Sequence, residues 1–212
     1  MKRKVYLFLT LFVLVFSFTS CKVSKNYVAH ISKKEEIDDP KTKKVLIFAS
    51  DDVRVNEFKK TFQKNFPEKK DFSMNYLDVF SEKLHASQVF SKVYVDSLNT
   101  TYTSVNKEKV DYVIHFSNFE IANRIEWNHS AGMNMNGVGG MNTTTSVEYC
   151  IINVKVEVYD AKTNREILDF VAIGEDSVFL FNFTKTLHKA KERSILHIIN
   201  YLKSGKISYK KY

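Results

Sequence analysis

Apolar positions divide this chain into a short leader and one folded unit. Val5 to Phe18 is a nearly unbroken apolar run, interrupted only by Thr10 and Ser17. Residues 22–44 have no steady apolar period and read as a flexible tether, with Tyr27 to Ile31 packing back on the domain as the alternative. Val45-Leu46-Ile47-Phe48-Ala49 is a continuous apolar stretch, the pattern of a strand buried on both faces. Val55, Phe58, Phe62 and Phe66 then recur at helical spacing, and Pro67 stops that helix. Ser50, Asp51 or Asp52 is placed to cap it. The two aspartates at a strand end also suit catalytic carboxylates, but capping is the plainer role.

Residues 73–91 give a second helix, with Ser73 as its cap and Leu77, Phe80 and Leu84 on one face. Lys92 to Val95 reads as extended, and Asn99 to Lys109 as polar linker. Asp111 to Trp127 predicts a long strand: Tyr112, Ile114 and Phe116 share one face, and Val113, Phe119 and Ile121 the other. Asn128 to Thr145 breaks every pattern with Gly, Asn, Met and Thr, and predicts a long loop over residues 128–146. Val147 to Tyr159 is the clearest strand, with Ile152, Val154, Val156 and Val158 on a buried face. Asp160 to Asn164 turns, and Glu166 to Gly174 returns as the partner strand. Phe179 to Phe183 reads as a connection or short strand. Thr184 to Ser204 is a last helix, stopped by Gly205.

The order of elements predicts an α+β fold: a mixed, largely antiparallel sheet with helices on one face. The domain map is a leader over residues 1–20, a tether over 21–44, one domain over 45–205 and a basic tail over 206–212. At the level of element order, Val45 to Leu202 resembles small periplasmic α/β lipoproteins. These include the amino-terminal domain of the Tol-system propeller protein and activator lipoproteins of cell-wall synthases. The run from Val154 to Asn164 carries most of that resemblance. It transfers no functional residue.

The leader has Lys2, Arg3 and Lys4 before its apolar run, which is shorter than the roughly 20 residues a spanning helix needs. It fits the hydrophobic core of a secretory signal instead. Phe18-Thr19-Ser20-Cys21 resembles the lipobox of bacterial lipoproteins, with Phe18 in place of the usual aliphatic residue. The resemblance implies that Cys21 is acylated and becomes the mature N-terminus, held by membrane lipid. Several acyl chains on one residue suffice for stable anchoring. Lys22, Val23 and Ser24 after the cysteine imply the outer membrane rather than retention at the inner one.

Charge changes the picture less than its total suggests. The net charge is +8, yet the leader carries +3, residues 22–44 carry +3 and residues 203–212 carry +4. The span 45–202 is therefore slightly acidic, without the basic face of a nucleic-acid binder. Headgroups or cell-wall polymers suit the basic ends better. Cys150 is the only cysteine besides Cys21, so acylation of Cys21 leaves no internal disulfide.

Motifs for nucleotide phosphates, serine hydrolases and zinc proteases are absent, and no cofactor is implied. Gly137-Val138-Gly139-Gly140 lacks the lysine and helix of a phosphate loop. His188 and His197 are nine residues apart on one helix and point to opposite sides. His115 reads as a core histidine, with a base paired to Glu120 or Asp111 as the enzymatic alternative. Cys150 reads as inert packing. His129, Met133, Met135 and Met141 are soft donors of the kind that hold Cu(I), although three Met in a Gly/Asn loop need no metal to explain them. Asp96-Ser97-Leu98 and Asp176-Ser177-Val178 resemble acceptor triplets of bacterial O-glycosylation. Trp127 is a candidate sugar-stacking residue beside the loop. The leading expectation is a non-enzymatic docking lipoprotein with an envelope protein partner. The second is binding of a cell-wall glycan near Trp127.

Overall fold

The computed structural model describes residues 27–96, 109–130 and 143–206. In chain order the elements are β1 (Tyr27–Lys34), β2 (Lys44–Ala49), β3 (Val53–Val55), α1 (Lys59–Asn65), α2 (Lys69–Ser87), β4 (Lys92–Val95), β5 (Tyr112–Ser130), β6 (Thr143–Asp160), β7 (Glu166–Ser177) and α3 (Phe183–Ser204). They make an α+β fold around one seven-stranded mixed sheet, ordered β1-β7-β6-β5-β2-β4, with β3 also paired to β5. β2 runs parallel to β4 and β5, and β3 parallel to β5. The β5–β6, β6–β7 and β1–β7 contacts are antiparallel.

The three helices cover one face, as the pattern predicted. Phe62 of α1, Phe72, Tyr76 and Phe80 of α2, and Ile195 and Ile198 of α3 join the sheet's Phe116, Phe119, Val154 and Phe170 in one core. Tyr76 meets Phe116 and Phe119 at ring-centroid distances of 5.3 and 5.0 Å, and Phe80 meets Phe116 edge-on at 4.8 Å. Edge-to-face rings add about 1 kcal/mol per pair beyond burial alone. The Ser194 hydroxyl donates to the Lys191 carbonyl at 2.7 Å, so the buried Tyr76 hydroxyl donates to Ser194 Oγ at 3.0 Å. That bond satisfies the tyrosine's polar end.

β5 departs from the expected alternation. A bulge between Phe116 and Asn118 inserts one residue against β6. Its effect is to put Phe119 and Ile121 on the same face as Tyr112, Ile114 and Phe116, not with Val113. β2 and β3 accommodate the bulge by interrupting their own edge. Ser50 Oγ donates to the Ser117 carbonyl at 2.7 Å, and Asn118 donates to the Asp52 carboxylate at 2.6 Å. Ser50 and Asp52 therefore brace the bulge and do not cap a helix, because β3 intervenes and α1 begins only at Lys59.

Two further starts are corrected. α2 opens at Lys69 with a reciprocal capping box between Glu68 and Asp71, leaving Ser73 buried inside the helix. Within the expected tether, Tyr27–Lys34 is β1, in line with the alternative that Tyr27 to Ile31 packs back on the domain; it is an edge strand with Val28 buried and its register broken between Ala29 and Lys33. The expected loop after Trp127 is shortened as well, since β5 continues to Ser130 and β6 begins at Thr143.

Candidate functional site

The end of the sheet that carries Trp127 is built by four strands that stop at different levels. β5 and β6 pair as far as Ser130 opposite Thr143. β7 stops earlier, with Ser177 opposite Tyr149, and β1 stops earlier still, with Tyr27 opposite Ile173. The β5–β6 hairpin therefore projects beyond its neighbours. After the bulge, Ile125 and Trp127 have the parity of Phe119 and Ile121, so they sit on the helix-covered face beyond the helices. Ile125 is 50% exposed and Trp127 61% exposed.

The next segment, expected as a connection or short strand, is a turn that leads into α3. Val178 N donates to the Glu148 carbonyl at 2.7 Å, at the level of Ile125, and the chain then turns toward α3. Phe179, Leu180 and Phe181 follow, and they are 72%, 78% and 86% exposed. Leu180 and Phe181 hold left-handed backbone angles, φ 49° and 57°. Bulky side chains rarely adopt that region. Three consecutive large apolar residues, together with Ile125 and Trp127, make one end of the domain unusually apolar. The signal in the sequence was the triplet's failure to fit either period.

Beside this loop lies a cleft of about 760 Å³, lined by Tyr149, Asp176, Asn182, Lys185, Lys189 and Arg193 among others. Its charges are mutually compensated near the sheet. Arg193 pairs with Asp176 at 2.7 Å, and Arg124 pairs with Glu175 at 3.0 Å while lying over the Tyr149 ring at 4.4 Å. Asp176 of the second glycosylation-like triplet is thus buried in an ion pair; Ser97 and Leu98 of the first lie outside the described residues.

Of the expected binding residues Trp127, His129, Met133, Met135 and Met141, only Trp127 is a described side chain. His129 stands in β5 opposite Thr144, and Cys21, Met133, Met135 and Met141 lie outside the described residues. Among the described residues no group of three His, Cys, Asp or Glu is placed to hold a metal ion, and no helix is long and apolar enough to cross a membrane.

The face of the sheet opposite the helices holds a second constellation. His115 Nδ1 donates to Glu157 at 3.0 Å, and Ser117 and Tyr159 donate to the same carboxylate at 2.8 and 2.9 Å. Phe48 stacks on the His115 ring at 4.3 Å. Burial pushes the Glu157 pKa upward, but the hydrogen bonds from His115, Ser117 and Tyr159 win and hold it at about 2. The expected partners of His115 are elsewhere: Glu120 binds Asn56 and Asn153, and Asp111 binds the Lys44 amide. Serine and histidine both donate to the glutamate here. A serine nucleophile needs histidine between itself and the acid, so this network orders side chains and activates no hydroxyl.

Next to it on the same face is a polar groove of about 420 Å³, lined by His30, Asp52, Asn118, Glu120, Asn153 and Lys155 among others. Asn153 and Asn118 are held by carboxylates at 3.0 and 2.6 Å, so the groove is ordered by its own hydrogen bonds.

The remaining candidates are structural. Burial, reinforced by Asp176 and Glu148, pushes the Cys150 thiol up to about 12. His197 donates Nδ1–H to the Ile173 carbonyl at 2.6 Å, while His188 packs edge-on against Phe66.

No family model and no curated protein matches the chain. Among solved structures, it is similar to a homologue of the neuraminyllactose-binding hemagglutinin from Helicobacter pylori, at 13% identity and TM-score 0.45, over 83% of this chain and 91% of that one. It is also similar to the PelC dodecamer subunit of Paraburkholderia phytofirmans, at 10% identity and TM-score 0.43, over 82% and 97% of the two chains. The hypothetical protein CT253 of Chlamydia trachomatis matches at 11% identity and TM-score 0.36, over 75% and 98%.

Proposed function

We infer that the protein is an envelope lipoprotein, anchored through Cys21, that serves as a non-enzymatic docking module. The observation that supports this reading most is the asymmetry of the sheet. Helices pack on one face, and the other carries a groove of ordered polar side chains from β3, β5, β6 and β1. Rigid strands hold Asn118, Glu120, Asn153 and Lys155 at fixed spacing, which is what recognition of a partner surface requires. The lipobox-like Phe18-Thr19-Ser20-Cys21 supports the anchor, and Lys22, Val23 and Ser24 after it support the outer-membrane location.

A glycan ligand is the second reading. Amides and carboxylates such as Asn118, Asn153 and Glu120 are the groups that bind sugar hydroxyls, and exposed Trp127 offers a stacking face at the sheet's end.

Affinity purification from crosslinked envelopes separates the two. The docking reading expects one stoichiometric protein partner, lost with Cys21→Ala and depleted when Asn118→Ala and Asn153→Ala are combined. Recovery of cell-wall sugar without a protein partner would transfer the groove to the glycan reading.

A further inference from the structure

We propose that the end of the domain formed by the Phe179–Leu180–Phe181 loop, Ile125 and Trp127 is a lipid-contact face that seats the domain on the membrane. The idea rests on the anchor reading for its geometry, and on the exposed side chains for its chemistry.

The geometry follows from strand direction. β1 is antiparallel to β7, so Tyr27 is the residue of β1 nearest the end of β7 where the loop emerges. Only five residues separate Tyr27 from Cys21, and six peptide steps reach at most about 20 Å. From Ile173, beside Tyr27, β7 rises only about 13 Å to Ser177. An acyl group on Cys21 therefore holds the bilayer within reach of this end of the domain. The Asp160–Asn164 turn is farther off, since β7 runs about 23 Å from Ile173 back to Glu166.

The chemistry fits the same plane. Phe179, Leu180 and Phe181 project into solvent where burial would be favourable, and Leu180 and Phe181 do so from a left-handed backbone. Residues 127–147 contain no Asp, Glu, Lys or Arg, and neither do residues 177–184, in a chain that is 26% charged. The described ends of β5 and β6 beyond Ile125, and the turn after β7, can thus enter a headgroup layer without desolvating a formal charge. Lys185 and Lys189 line the cleft behind the loop, where anionic headgroups would lie. Trp127 has the amphipathic ring that favours the membrane–water interface. Seated this way, the far turn and the polar groove remain accessible to partners.

Trp127 is the only tryptophan, so the full-length protein carries its own probe. The acylated chain is reconstituted into phosphatidylethanolamine–phosphatidylglycerol vesicles with or without brominated acyl chains. We expect a blue shift and bromine quenching of Trp127 emission. In Phe179→Ser with Phe181→Ser, quenching is expected to fall while co-flotation through Cys21 and the unfolding temperature hold. Wild-type protein that is acylated and co-floats, yet emits as in water without quenching, overturns the proposal and leaves the anchor intact. A blue shift that grows with protein concentration in the absence of vesicles also overturns it, and gives the face to a second copy. If mass analysis finds Cys21 unmodified, the anchor reading fails, and quenching of the unacylated full chain by the same vesicles still decides the face.

Discussion

Gly174 of β7 lies directly beneath Ala190 of α3, so close that a Cβ built on the glycine would stand 2.0 Å from the Ala190 carbonyl oxygen and 2.4 Å from the Ser194 amide. The obstacle is helix backbone, which cannot rotate away. Gly174→Ala must lift α3 off β7, the packing that also brings Arg193 to Asp176 and His197 to the Ile173 carbonyl. We predict a loss of about 3 kcal/mol, at the upper end of ordinary overpacking costs, measured as a lower urea midpoint. An unchanged midpoint would mean that α3 does not sit on Gly174.

Glu157 makes the stability acid-sensitive over a defined range. Its folded pKa of about 2 lies below the ordinary 4.5, so the folded state binds the proton more weakly than the unfolded chain. The contribution is complete above about pH 4.5 and is lost as pH falls toward 2. Its size is on the order of 3 kcal/mol at most. Glu157→Gln is expected to lower stability at pH 7 and to flatten the stability profile between those limits. Denaturation midpoints measured across that range test both parts.

His197 sets a second, earlier limit. Burial lowers its pKa against the opposing bond to the Ile173 carbonyl, and nearby Arg193 lowers it further. A depressed basic group costs nothing above its unfolded value near 6.5, where it is neutral in both states. Below that value the unfolded chain takes up the proton first, so stability declines as pH falls. His197→Gln is expected to weaken the fold at pH 7 and to lessen the fall in melting temperature from pH 7 to pH 5. An equally steep fall in the variant would assign it to other groups.

The sheet was legible where burial is one-sided. β6 shows its alternation because Ile152, Val154, Val156 and Val158 all face the helices while Asn153, Lys155 and Glu157 face the open side. β5 was legible as a strand but not in its facing, because Ser117, the extra residue of the bulge, looks like any polar strand position. β1 was hidden for a different reason. As a broken edge strand it buries only Val28 fully among the side chains described, so its sequence lacks the period that burial imposes. The candidate site was legible through Trp127 alone. Its other half depends on Ser177 ending beside Tyr149, a register between strands that no local pattern encodes.

Cys150 should behave as the chain's silent thiol. It is fully buried opposite Asn123 and Asp176, and its pKa of about 12 leaves almost no thiolate near neutral pH. With Cys21 acylated, the native protein is expected to show no titratable thiol toward a disulfide reagent at pH 8. One thiol should appear on adding denaturant. Rapid reaction of the native protein would place Cys150 outside the core.

Leu180 offers the sharpest contrast between stability and contact. Its side chain is 78% exposed and its backbone is left-handed at φ 49°, a conformation that costs an L-residue roughly 1–2 kcal/mol. Glycine removes that cost but makes the unfolded chain more flexible, which returns about 0.5–1 kcal/mol. Leu180→Gly is therefore expected to leave the melting temperature unchanged or slightly raised, whereas removing a buried leucine such as Leu84 or Leu187 costs about 2–5 kcal/mol. If the side chain were held for packing, the variant would melt earlier. If it is held for contact with lipid, the variant will keep its fold, and bromine quenching of Trp127 in vesicles will weaken. Measuring both on one preparation separates the two roles, because only the second combines a fold as stable as wild type with a weaker membrane signal.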